Sequence, residues 1–223
     1  MPVVLAFDTA GSACSVAVGR DALLVAQERR EMRHGHAEAL LPMIDRVMTI
    51  AQLGPADIDA IAVSVGPGGF TGIRAGLAAA QGLALALGAR VLGITSFAAV
   101  VASALPGDRR LLVALDSRRA DLYVQIFDRS GEPVGEPAAV SPEGLAGWVG
   151  DGAIRIAGDA ADVAAAALSP HLDVRIVAGS APDAAGVLAA ARRWPHRADA
   201  AAQALYLRPP DVSFPKSRTG GAG

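Results

Sequence analysis

Lysine is almost missing from this sequence. Of the 20 basic residues 19 are arginine, and the one lysine is Lys216 near the C-terminal end. The body of the chain therefore holds neither a P-loop lysine nor a Schiff-base lysine. Cysteine is equally scarce. Cys14 stands alone, which excludes an internal disulfide and a cysteine metal cluster. Its place in an apolar alternating run marks it as a small buried hydrophobe. Aromatic residues are only 4% of the chain while alanine supplies 49 residues, so the core must be aliphatic with close backbone contacts. No charge sign dominates: the net charge is −2, which gives no bulk attraction for nucleic acid. With 52% hydrophobic and 19% charged residues, the chain is neither disordered nor tailed by a long charge run. The opening MPVVLAFD reaches Asp8 too soon for a signal peptide, so a cytoplasmic location is expected.

What is present reads as alternating strands and helices. Residues 3–8 (VVLAFD), 14–19 (CSVAVG) and 23–28 (LLVAQE) predict three short strands in an antiparallel meander. Residues 36–51 switch to helical spacing, with Leu40, Leu41, Ile44, Val47 and Met48 on one face and Pro42 interrupting. A strand at 60–65 runs into the glycine turn GPGGF. Thr71 is the expected N-cap of a helix reaching about Leu87. A strand at 90–94 and a helix capped by Ser96 and reaching about Ala104 close the first half. LPGDRR at 105–110 is the best linker. The second half then repeats the opening order: an apolar run closed by Asp (111–116), a polar turn, and strands at 121–128 and 134–140. Helices are expected at 142–149, 160–168 and 183–193, a strand at 154–157, and a disordered tail from about 214. The reading is two lobes, 1–104 and 105–223, each opening on a strand that ends in Asp (Asp8, Asp116). That is the plan of the duplicated actin-like, sugar-kinase and Hsp70 superfold: α/β, with mixed sheets flanked by helices.

Two segments invite chemistry. The first is the turn S64-V-G-P-G-G-F-T-G-I-R74. Strand, glycine turn and helix N-terminus together can offer backbone N–H groups to an anion or nucleotide. The contact residues would be Asp8, Gly66, Gly68, Gly69, Thr71 and Arg74. The other reading is a strand-to-helix turn that simply needs glycine, since the spacing is neither a P-loop nor a dinucleotide fingerprint. The second is the helix that follows. Gly72, Gly76 and Ala80 recur every four residues as a smooth stripe that admits a very close neighbour, an internal helix or a subunit. The helix has almost no polar face, but Arg74 and Gln81 speak against a membrane span. His34, His36 and Glu38 lack the spacing of metal ligands on one helical face. No Ser/His/Asp or Cys/His set and no G-x-S-x-G elbow is present. The arginine pairs 29–30, 109–110, 118–119 and 192–193 read as a solvated face, because no aromatics interleave them.

FDTAGSACSVAV, HAEALLPMI, IDAIAVSVGPGGFTGIRAGLAAAQGLALAL, LDSRRADLYVQIF and YLRPPDV, in that order, resemble the bacterial tRNA threonylcarbamoyladenosine biosynthesis family TsaB, also called YeaZ. The resemblance covers Val3 to about Val212. It implies the two-lobed superfold. It also implies a scaffold subunit, not an enzyme, that works with a catalytic paralogue, TsaD, and a small ATPase, TsaE, in modifying adenosine beside the tRNA anticodon. Pairing through the N-terminal helices would engage Leu40, Leu41, Ile44, Gly72, Ile73, Gly76, Ala79 and Ala80, and the same surface serves some members as a homodimer contact. The tRNA would be met only indirectly, with no membrane, no metal and no resident cofactor, although a nucleotide at a subunit junction is compatible with it. Laid on the paralogue's HxxxH pair, T95-S-F-A-A-V100 puts Ser96 and Val100 where the two metal-binding His would stand. The competing reading is a small-molecule ATP-dependent phosphotransferase of the same superfold, with Asp8 and Asp116 facing each other across a cleft.

Overall fold

The computed structural model describes residues 2–21, 23–179, 181–195 and 202–208. The tail expected to be disordered from about 214 lies outside them.

The first half forms β1 (Val3–Asp8), β2 (Ala13–Arg20), β3 (Leu23–Glu31), α1 (His36–Ile50), β4 (Ala60–Ser64), α2 (Phe70–Leu87), β5 (Arg90–Ile94) and α3 (Ser96–Ala104). The second half forms β6 (Arg110–Asp116), β7 (Leu122–Phe127), β8 (Pro133–Val140), α4 (Leu145–Val149), β9 (Ile154–Ala157), α5 (Ala161–Leu168), β10 (Val174–Ile176) and α6 (Ala184–Arg193). Two five-stranded sheets result, ordered β3-β2-β1-β4-β5 and β10-β9-β6-β7-β8. They share one plan. The opening strand pairs antiparallel with the second and parallel with the fourth, β1 with β2 and β4, β6 with β7 and β9. The internal echo in the sequence is thus a duplicated βββαβαβα unit.

Strand alternation sets the layers. On β1, Val3, Leu5 and Phe7 join an outer core with α1 and α2. Val4 and Ala6 face the opposite way, into a central core that also takes Leu111, Val113 and Leu115 of β6. Leu112 and Ala114 of β6 face a third core under α4 and α5. The central layer is α3 and α6, and they cross over: α6 packs on β1, β2 and β4, while α3 packs on β6 and β9. Gly186 of α6 lets the helices close, since a Cβ there would sit 2.6 Å from the Ala99 carbonyl oxygen.

Several local expectations need correction. The N-cap of α2 is Gly69, not Thr71, and that of α3 is Thr95, whose side chain accepts from the Ala98 N–H, not Ser96. Pro42 sits inside α1 without ending it. The buried face of α1 is Leu40, Met43, Ile44, Val47 and Met48; Leu41 is 55% exposed, one 100° step round from Leu40. The expected helix at 142–149 is a 3-10 turn, Pro142–Gly144, leading into α4. Strand β10 was not foreseen: its three residues are half-buried or exposed, so no alternation betrays it.

The smooth stripe of α2 does have a close neighbour, but it is the chain's own β1–β2 turn. A Cβ on Gly72 would overlap the Thr9 carbonyl oxygen, and one on Gly76 would lie 2.5 Å from Thr9 Oγ1. Ile73 and Ala80 are fully buried against the same core. Gly82 lies on the outer side with open space around it. Gly72→Ala is therefore expected to cost about 2–3 kcal/mol of stability through overpacking. Gly82→Ala should add up to about 1 kcal/mol through helix propensity. Urea unfolding midpoints of the two variants check the pair.

Candidate functional site

The glycine turn is held by its own chain. Gly69 N–H donates to the Ala10 carbonyl at 2.8 Å, and Ser96 N–H donates to the Gly66 carbonyl at 2.8 Å. Thr9 Oγ1 donates to the Gly72 carbonyl at 2.7 Å. A Cβ on Gly68 would meet the Ala10 carbonyl oxygen at 2.5 Å. Gly66 is in the left-handed region at φ 97°, and a Cβ there would meet Ile73 Cδ1 at 2.7 Å. These glycines serve close approach between β1, the turn and α2. The Gly69 N–H that an anion cradle would offer is already spent on Ala10.

Asp8 is likewise inside, 1% exposed. One carboxylate oxygen accepts from Ser64 Oγ and from the Ala10 N–H at 2.9 Å. Burial pushes its pKa above the ordinary carboxylate range, against the pull of those two bonds. Asp116 is exposed, and its carboxylate accepts from the Arg118 N–H at 2.7 Å. The two carboxylates do not oppose each other across a cleft. A small pocket of ≈ 20 Å³ between the lobes is walled by Gly11, Pro67, Gly68, Ser96, Asp116, Arg118 and Asp159. Arg118 spans it, donating from Nη2 to the Gly11 carbonyl at 2.8 Å. Asp159 accepts from the Asp116 N–H at 2.9 Å, and burial raises its pKa.

A larger cavity of ≈ 410 Å³ opens where α1 and α2 begin. Thr71, Gly69 and Gly72 line it with Arg33, His34, His36, Glu38 and Arg118. Of the residues expected to contact an anion, Gly69 and Thr71 reach this space. Arg74 does not: its guanidinium lies 3.7 Å over the Phe70 ring, and its Nε donates to the Tyr206 hydroxyl at 3.3 Å. Sequence reasoning missed Phe70, Tyr206 and Arg118, because nothing local relates residue 206 or 118 to the turn at 66–72.

The residues expected to pair with a partner are mostly inside the chain. Leu40, Ile44, Ile73, Gly76 and Ala80 are buried, and Gly72 and Ala79 are half-buried. Leu41 alone of the eight is open. The surface that α2 actually presents is Ala78, Gln81, Gly82, Leu85 and Ala86, with Leu85 88% exposed. This is why α2, by length and composition, is the one helix among the described residues that would suit a membrane. Its inner side is packed on β4 and the β1–β2 turn. Ser96 and Val100 are both buried in the central layer or beside it. Cys14 is buried, and burial pushes its thiol up to about 11.

The raised pKa of Asp8 has a signed consequence. Above its ordinary value near 3.8, the unfolded chain releases a proton that the folded chain still holds. Folding stability therefore falls as pH rises through that window. Asp8→Asn removes this fall and keeps an oxygen to accept from Ser64 and Ala10. The stability of the variant relative to the wild type should climb from about pH 4 toward neutrality, read by urea unfolding at a series of pH values.

Comparison with known proteins agrees with this architecture. Residues 30–182 match the family model described as tRNA N6-adenosine threonylcarbamoyltransferase. The chain is 36% identical over 128 residues to the tRNA threonylcarbamoyladenosine biosynthesis protein TsaB of Escherichia coli, a match covering 56% of this chain. It thus spans about half the length of that relative, 55%. An uncharacterised protein of Mycobacterium tuberculosis is 37% identical over 211 residues, 94% of this chain and 93% of that one. The solved structure of YeaZ from Pseudomonas aeruginosa superposes with a TM-score of 0.76 at 30% identity, covering 93% of this chain and 100% of its own. At 17% identity and a TM-score of 0.50, a hexokinase from Thermus thermophilus shares the fold alone. The two sheets of one plan, with helices between and outside them, are the actin-like, sugar-kinase and Hsp70 superfold, and this chain belongs to the TsaB/YeaZ family.

Proposed function

We propose that this chain is an accessory, non-catalytic subunit in threonylcarbamoyladenosine biosynthesis on tRNA, acting by pairing with the catalytic paralogue TsaD and with the ATPase TsaE. The observation that carries the reading is that the turns meeting between the lobes are tied to one another: Gly69 N–H to the Ala10 carbonyl, Ser64 to Asp8, and Arg118 across to the Gly11 carbonyl. In an enzyme of this superfold the substrates would have to enter between the lobes. Here that space is filled by the chain's own turns. Ser96 and Val100, where the resemblance places the paralogue's metal-binding His pair, are buried side chains that do not ligate a divalent metal in such a site.

The phosphotransferase reading loses support on the same grounds. Asp8 is buried and bonded to Ser64 rather than turned toward a ligand. A cytoplasmic setting and indirect contact with tRNA follow from the accessory role.

The docking face moves from where the sequence put it. The buried stripe cannot meet a partner, so Gly76→Leu would damage the chain's own fold before it reported on pairing. Leu85 is the most exposed of the large apolar side chains among the described residues, and we assign the paralogue, or a second copy of this chain, to the side of α2 around Ala78, Gly82, Leu85 and Ala86, with Leu41 on α1. Large apolar side chains exposed on an otherwise packed protein mark such surfaces.

Leu85→Glu should weaken the complex with the paralogue by about 2 kcal/mol, roughly 30-fold in Kd, as expected for a central interface anchor. The unfolding midpoint of the isolated chain should not change. Sedimentation of the mixed proteins, with circular dichroism of the variant alone, checks both. Unaltered pairing would move the interface off α2.

A further inference from the structure

The C-terminal segment carrying the YLR motif lies outside the docking face, yet it touches both the first lobe's outer core and the central core. Ala202 is buried in the outer core of the first lobe, and Ala204 and Leu205 pack against it. Leu205 N–H donates to the Val65 carbonyl at 2.8 Å, one residue before the glycine turn. The Leu205 carbonyl lies so close to Gly66 that a Cβ there would meet it at 2.9 Å. The Tyr206 ring stacks at 5.1 Å on Phe70 in the first turn of α2, and its hydroxyl accepts from Arg74. Leu207 packs against the central core. Arg208 then pairs with the carboxylate of Asp121, a buried residue of the second lobe. Asp121 is fixed in turn by Ser117, whose Oγ donates to its carboxylate at 2.9 Å.

Seven residues thus run from the first lobe's core, across the start of α2, to the β6–β7 turn of the second lobe. The other tie that closes the gap, Arg118 to the Gly11 carbonyl, springs from the same β6–β7 turn. We propose that residues 202–208 are an interlobe latch: Tyr206 anchors to α2, Arg208 anchors to Asp121, and together they hold the gap shut. The central layer of α3 and α6 is continuous with both sheets and acts as the pivot. With the latch released, the bond from Arg118 still bridges the mouth, and one exposed hydrogen bond of this kind contributes little against two lobes in motion. The inference concerns closure of the lobes and does not depend on which partner docks on α2.

The test is made on the full chain with both anchors trimmed, Tyr206→Ala with Arg208→Ala. Spin labels are attached at Asp45→Cys on α1 and Glu143→Cys beside α4, both exposed positions. Cys14 is buried and its thiol is held protonated, so it stays unlabelled. Double electron–electron resonance should give a longer and broader distance distribution in the trimmed variant. Adding back the charge with Arg208→Lys, on a chain that keeps Tyr206, should restore the narrow one. Amide hydrogen exchange at 9–12, 66–69 and 117–121 should rise about tenfold while strand amides of β1, β4, β6 and β9 keep their protection, as for a local opening. An unchanged distance distribution overturns the latch. So does exchange that accelerates equally through both sheets, which would make 202–208 an ordinary contributor to global stability.

Discussion

The close approach of the β1–β2 turn to the first turns of α2 is the contact on which the rest of the molecule depends. Thr9 and Ala10 lie against a helix face that has no side chains at 72 and 76. Backbone meets backbone there through Gly69 to Ala10 and Thr9 to Gly72. Such contact is possible only where glycine removes the Cβ, and it gains dispersion contacts at a density that ordinary side chains do not reach. Because the turn is held so tightly, Gly11 is presented at a fixed place. Its carbonyl takes Arg118 from the other lobe. The pull of α2 onto its own sheet also turns Ala78, Gly82, Leu85 and Ala86 outward. One packing event thus ties the turns between the lobes and leaves this side of α2 open.

Much of this was legible in the sequence, and the limits have a common cause. Apolar runs closed by Asp at 3–8 and 111–116, with alternation at 14–19, identified the central strands; the runs are unbroken because those strands are buried on both faces. The echo of Asp8 in Asp116 gave the duplication, and hence the superfold. The two carboxylates then turned out unlike in environment, one buried and bonded to a serine, the other an exposed cap of its own turn. The stripe at 72, 76 and 80 correctly announced a very close neighbour. What it could not announce is which backbone comes close. A small residue records the demand for proximity and carries no mark of the partner, so a strand-to-strand turn and a second helix leave the same trace.

Leu41 and Leu85 make the same point from the other direction. Leu41 belonged, by hydrophobicity, to the apolar side of α1, yet the buried side is centred on Leu40, Ile44 and Val47. Leu85 sits in a run, L-A-L-A-L, that has no polar reference by which to orient a helical wheel. Three-dimensional packing decides its side, and the decision leaves it 88% exposed. Contacts between distant positions were invisible for the same reason. Arg118 with Gly11, Tyr206 with Phe70 and Arg208 with Asp121 join residues more than 85 apart in the chain, and no periodicity links them.

The architecture is in keeping with the accessory role proposed for this chain. Catalysis between two lobes needs an opening for substrates, polar groups aimed into it, and freedom to close on the ligand. Here each requirement is spent on structure. The glycine turn grips its own β1–β2 turn, the carboxylate at the end of β1 is buried against Ser64, and arginine from the second lobe fills the mouth. The crossed helices α3 and α6 put each lobe's last helix on the other lobe's sheet, so the lobes can part only at the mouth, with the central core kept. With its mouth tied, a body of this kind is a good platform. Rigidity lowers the entropy lost when a partner docks, and α2 offers that partner a smooth, apolar surface of fixed orientation. The tied turns between the lobes and the outward apolar side of α2 are therefore two results of the same tight packing, which is the physical basis of the proposed reading as a subunit that organises chemistry carried out elsewhere.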